Sequence, residues 1–295
     1  MRGEKQNENQ RFSYTHNRRV LLRKMSSMDI SNLTKEAFSK MFEEGKRFDG
    51  RGLLDIRPIE ISYGVSDKAE GSARVKIGKT DVVVGVKLGI GEPYPDSPDK
   101  GNLMVSAELL PLASPRFESG PPDFPGIELP RLVDRAIRGS GMIDLTKLVI
   151  KEGEKVWTVF VDIYPINDDG NTIDAASIGA IAALKQAVIP ELDKDGKIDS
   201  EKKSKTKLPL SKDAWPISFS FFKLGESIII DPTREEEEAC DGRVTFGISE
   251  SKGKYLINSC QKASPATFTL EEIEKIMKVL PKKLDEVNEK LKKCL

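Results

Sequence analysis

The chain has 295 residues and a mass of 32.7 kDa, enough to bury a large core as one big domain or two. Lys and Arg number 47 and so do Asp and Glu, so the net charge is zero. Any nucleic-acid contact must therefore come from a local patch or from one shared with a partner. The three cysteines, Cys240, Cys260 and Cys294, are scattered and odd in number, which excludes a disulfide framework and zinc spacing and fits a reducing, cytoplasmic setting. The single histidine, His16, stands apart from any apolar periodicity, which excludes histidine acid/base chemistry in the body of the chain. No apolar run approaches the ~18 residues of a membrane span, so no membrane partner is expected.

Residues 1–27 carry seven Lys/Arg against two Glu and read as a disordered basic tail or as an upstream extension of the true start, since Met28 opens a cleaner sequence. A first half spans 28–190. Its first helix begins near Asn32, with Ala37, Phe38, Met41 and Phe42 on one face. After a charged turn at Arg47–Arg51, an extended piece starts at Arg57-Pro58-Ile59. Ala73, Val75 and Ile77 alternate, Gly78-Lys79 turns, and Val82, Val84, Val86 and Leu88 alternate back, which predicts a β-hairpin with one buried face. Leu103–Leu110 is a further strand candidate, and a Pro/Gly loop, Ser114–Gly126, leads to a helix starting near Ile127.

At about 100° per residue, Arg131, Arg135 and Arg138 share one side of that helix, while Leu129, Leu132, Val133, Ala136 and Ile137 face a core. Such a stripe is either a solvated face or an anion site. A phosphodiester backbone suits the second reading, because the guanidinium fork matches phosphate oxygens.

Lys155–Ile166 reads as a strand, Asn167–Gly170 as a turn, and the Ala-rich Ile173–Val188 as a buried helix. A charged loop, 191–206, separates this half from a second one, 207–295. There, Ile217–Phe222 and Ser227–Ile230 are strands, Glu235–Glu238 a solvated acidic turn, and Arg243–Ser249 with Lys254–Ser259 a hairpin. The last helix opens on a capping box at Thr269 and Glu272 and repeats apolar residues from Leu270 to Leu291, with Pro281 expected to kink it. The class is α+β, with helices packed on mixed sheets.

Lys46-Arg47-Phe48-Asp49-Gly50-Arg51, Arg57-Pro58-Ile59 and Gly71-Ser72-Ala73 resemble the opening of the RNase PH family. ELLPLASPRFESGPPD, IELPRLVDRAIR, DLTKL, VWTVFVDIYPINDDGN and DPTREEE look like its non-catalytic branch in archaeal exosomes, and the similarity runs from about Lys46 to the C-terminus. The resemblance implies an RNase PH-like fold of two β/α halves with ribosomal-protein-S5-like topology. It implies a hexameric ring, a trimer of heterodimers with a catalytic RNase PH-like sister subunit, joined by RNA-binding cap proteins and threaded by single-stranded RNA 3′ ends. The complex's reaction would be 3′→5′ phosphorolysis. This chain would need no cofactor of its own: inorganic phosphate, and Mg²⁺ if used, would sit in the sister.

Active members carry Gly-Ser-Arg for the attacking phosphate, where this chain has Gly170, Asn171 and Thr172. Arg243 falls where they carry an Asp, with Asp241 two residues earlier as the only rescue, and Phe124-Pro125 replaces paired arginines. The resemblance therefore implies no catalytic residues in this chain. Arg131 and Arg135 match the branch's RNA-contacting arginines. Arg138 shares their face without a family role, and Arg116 lies in a loop that reaches the same RNA. Two rival readings remain at this point: a self-sufficient phosphorolytic exoribonuclease using Asp241, and a ring scaffold with no RNA contact.

Overall fold

The computed structural model describes residues 30–193, 198, 205–211 and 214–293; the expected basic tail, 1–27, and most of the expected charged loop lie outside the described residues. Helix α1 is Asn32–Glu43, opened by the Ser31 side chain accepting the Thr34 N–H. Phe38 and Phe42 are its buried face, whereas Ala37, expected beside them, is exposed.

The first sheet collects β1 (Ile59–Tyr63), β2 (Gly71–Ile77), β3 (Thr80–Gly91), β4 (Asn102–Ala107), β5 (Val149–Lys151) and β6 (Lys155–Asn167), in the order β1-β2-β3-β6-β4 with β5 on β6. Its alternating residues behave as the period-two pattern predicts. Val75, Val82, Val84 and Val86 are fully buried, each contributing about 1.5–3 kcal/mol of hydrophobic stabilisation. Strand β4 is parallel to β6, so the chain must cross over between them. That crossover contains α2 (Phe124–Ser140), and the topology thereby hangs the arginine helix on the edge of this sheet.

Helix α3 (Thr172–Gln186) is buried on nearly all sides, and its alanines let it sit between β2 and β3 on one side and β7 on the other. The second sheet is antiparallel, in the order β10-β9-β7-β8, from β7 (Ile217–Leu224), β8 (Ser227–Ile230), β9 (Gly242–Ser251) and β10 (Lys254–Ala263). Helix α5 (Leu270–Lys293) covers it, with the expected capping box formed at both bonds and Pro281 inside the helix. One continuous apolar core runs through both sheets, so the two halves fold against each other rather than as separate cores.

Three elements depart from the sequence reading. A short 3₁₀ turn, Leu145–Leu148, and β5 were not anticipated. The acidic run is not a solvated turn: Arg234–Ala239 forms helix α4, capped by Thr233 and Glu236. The reason is charge compensation, since Glu236 is buried against Arg47 and accepts both of its fork donors.

Candidate nucleic-acid interface

Helix α2 starts three residues earlier than the loop composition suggested. Asp123 caps it by accepting the Gly126 N–H at 3.1 Å, Pro125 fits its first turn, and Gly141 closes it at φ +64°. Leu129, Leu132, Val133, Ala136 and Ile137 are buried, and Arg131, Arg135 and Arg138 are exposed, as the spacing predicts.

The three arginines are not equivalent. Arg138 is tied down, its Nε donating to both Asp134 oxygens at 2.9 Å and its Nη2 to the Leu103 carbonyl at 2.5 Å. Arg135 makes one exposed hydrogen bond, to Gln261 Oε1 at 3.1 Å. Arg131 has no ion pair or hydrogen-bond acceptor among the described residues. The stripe therefore offers one free and one lightly held guanidinium to solvent, and the third is already satisfied.

Arg116, expected to reach the same RNA from its loop, is engaged inward. Its Nη2 meets Asp168 at 2.5 Å and its Nη1 lies 3.6 Å from Glu238. Burial pulls its pKa down, but Asp168, Glu237 and Glu238 outweigh that and hold the guanidinium above its ordinary value.

Next to this pair lies a pocket of about 250 Å³ that contains the degenerate positions Asn171, Thr172 and Arg243. Asn171 stands at φ +59° just before α3, and its backbone N–H donates to Glu237 Oε2 at 2.8 Å. The Thr172 hydroxyl donates to Asp168 at 2.8 Å. Arg243 pairs with Glu128 at 2.6 Å. Burial pushes the Glu237 carboxyl above the ordinary carboxylate range, and Arg116 only partly offsets it. A helix N-terminus that would suit phosphate is thus occupied by the protein's own carboxylate. Asp241 is elsewhere, paired with Lys35 at 2.5 Å and accepting the Gly225 N–H at 3.2 Å, and it does not line the pocket. Glu237, Glu128 and Asp168 are the site residues that sequence reasoning missed. The Thr233/Glu236 capping-box spacing was the one readable signal that the acidic run is helical and so presents only some of its carboxylates to a given neighbour. Among the described residues no group of three or more His, Cys, Asp or Glu is placed to hold a metal ion, and no helix is long and apolar enough to cross a membrane.

A mixed sheet and an antiparallel sheet sharing a buried helix, with a carboxylate-lined pocket at that helix's N-terminus, define a class that comparison makes explicit. The chain belongs to the 3′ exoribonuclease family, the RNase PH family, with domain 1 matching residues 55–190 and domain 2 residues 214–279. Within it, the chain is similar to exosome complex component Rrp42 of Pyrobaculum aerophilum, 45% identical over 268 residues that cover 90% of this chain and 96% of that protein. It is 42% identical to Rrp42 of Thermococcus onnurineus over 268 residues, covering 90% and 97%. Among solved structures it resembles a chain of the Archaeoglobus fulgidus exosome with RNA bound to the active site, at TM-score 0.79 and 41% identity over 88% of this chain and 98% of that one. A chain of an archaeal exosome core matches at TM-score 0.77 and 38% identity, covering 88% and 97%.

Proposed function

We infer that this chain is the non-catalytic ring subunit, of the Rrp42 kind, in an archaeal exosome that degrades RNA from 3′ to 5′. The observation that carries the reading is the bond from the Asn171 N–H to Glu237: the position where an active member holds phosphate is closed by a carboxylate. With Arg243 locked to Glu128 and Arg116 to Asp168, no unpaired cation lines the pocket among the described residues to neutralise an incoming phosphate.

In this reading the chain completes a ring with a catalytic RNase PH-like sister and with RNA-binding cap proteins, in the cytoplasm. Arg131 and Arg135 hold the single-stranded RNA backbone beside the sister's active site, without reading bases. Arg138 and Arg116, satisfied by Asp134 and Asp168, shape that face rather than contact RNA. The neutral overall charge supports a composite groove, since one patch of two arginines needs a partner's cations to hold RNA firmly.

The test is nucleoside diphosphate release from a poly(A) oligomer with added phosphate, for this chain, the sister and the mixture. Release by the mixture above that of the sister alone, and none by this chain, is the expected result. Release by this chain alone would overturn the reading.

A further inference from the structure

The exposed stripe of α2 does not begin with its arginines. Phe124, the first residue of the helix, is 71% exposed and Ile127 is 48% exposed, while Leu129, Leu132, Val133 and Ile137 are buried. At about 100° per residue, Phe124 lies within about 20° of both Arg131 and Arg135. At a rise of about 1.5 Å per residue it precedes them by about 10 and 16 Å along the axis. The exposed side of α2 therefore reads aromatic, aliphatic, cation, cation.

The ring is unoccupied by the protein itself. Among the described residues it meets no other aromatic ring and no cation. Its backbone is nonetheless held, because Asp123 accepts the Gly126 N–H and Pro125 fixes the next φ. The acids of this helix are spent: Glu128 pairs with Arg243, Asp134 with Arg138, and Asp123 is the cap. A ligand lying along the stripe thus meets positive charge at Arg131 and Arg135 and a flat apolar surface at Phe124. Each nucleotide of a single strand supplies both halves of that match, a phosphate and a base whose faces are open.

We propose that Phe124 is a stacking platform for one base of the RNA strand whose backbone Arg131 and Arg135 hold. The proposal rests on the RNA-contact reading of those arginines and adds a contact to the base itself. Stacking tolerates any base, since every base has a π-face, so Phe124 strengthens and positions the strand without selecting its sequence.

The experiment is filter binding by the assembled complex, without phosphate, of an adenylate oligomer and of an oligomer of equal length whose riboses carry no base. Wild type, Phe124→Leu, Phe124→Trp and Arg131→Ala are compared across a salt series. Leu keeps apolar bulk and removes the flat ring. Phe124→Leu is expected to weaken adenylate binding by ~10-fold, the size of one stacked base, with the abasic oligomer and the salt slope unaffected. Phe124→Trp, which restores a ring, is expected to bind as the wild type does. Equal losses for both oligomers, or no loss for either, overturn the proposal. So does dissociation of the Phe124→Leu complex in sedimentation, which would make the ring a contact to the sister subunit. If Arg131→Ala leaves affinity and salt slope unchanged, the RNA reading of the stripe fails and the stacking role with it. If Arg131→Ala weakens binding and Phe124→Leu does not, the backbone contact stands and only the stacking role falls.

Discussion

Arg57 and Asp231, at the two ends of the fold's central seam, form a buried fork. Arg57 Nε and Nη2 reach the two carboxylate oxygens at 2.9 and 2.7 Å, and the Arg57 backbone N–H adds a third bond at 2.7 Å. The remaining guanidinium donors end on Asp169, Gly170 and Pro232, so a single side chain ties the entry to β1, the exit from β8 and the turn before α3. Burial would raise the Asp231 pKa, but Arg57 and Asn171 hold it below the ordinary range. Replacing Arg57 by Met leaves that buried carboxylate with only Arg51 Nη1 at 2.9 Å and Asn171 Nδ2 at 2.9 Å to hold it, and is expected to destabilise the chain by up to about 3–5 kcal/mol in urea denaturation. A loss under about 1 kcal/mol would mean that the seam is held elsewhere.

Asp174 titrates in the opposite direction. Burial pushes it up to about 7, the Ser220 hydrogen bonds pull it back, and Asp231 adds to the rise. The folded state therefore keeps a proton that the unfolded state releases. The stability this group contributes is complete below its unfolded pKa of ~4 and is lost as pH rises through 7. Asp174→Asn should gain on the wild type between those limits, by on the order of 2–4 kcal/mol at most, read from paired denaturation curves at several pH values. A constant difference across that window would refute the assignment.

The arginine stripe predicts a graded series. Arg131→Ala and Arg135→Ala should each weaken RNA binding by the assembled complex and reduce the salt slope by about 0.7, the value for one phosphate contact on a single strand. Arg138→Ala, whose guanidinium is taken by Asp134 and Leu103, should leave that slope unchanged. Filter binding across a salt series separates the three, and equal effects would mean that the stripe acts only through its net charge.

Gly139 sets how closely α2 approaches the second sheet. A Cβ there would stand 2.3 Å from the Asn258 carbonyl oxygen of β10, which is backbone and cannot yield as a side chain would. Gly139→Ala should push the helix outward, destabilise the fold by about 1–3 kcal/mol and weaken RNA binding together with it. Intact stability with intact binding would show that the sheet edge gives way instead.

Much of this was legible in the sequence because it is local. Period-two alternation in Ala73–Leu88, the apolar stripe of α2 and the Thr269/Glu272 box depend on neighbours a few residues apart, and their elements formed where expected. Asn171, Thr172 and Arg243, singled out residue by residue, all line one pocket. What the sequence could not decide was which charges meet. Glu236 and Glu237 are adjacent in an acidic run, yet one is buried on Arg47 and the other ends on the Asn171 N–H. Arg131 and Arg138 are equivalent on a helical wheel, yet only the second finds a carbonyl, on β4. The sequence by itself determined most of the elements and the family, because propensity, periodicity and residue type act at short range. Only the tertiary structure decided which arginines remain free and which carboxylate meets the Asn171 N–H, because those pairings are made by chain crossings between residues far apart in sequence, as Arg47 and Glu236 are at 189 positions.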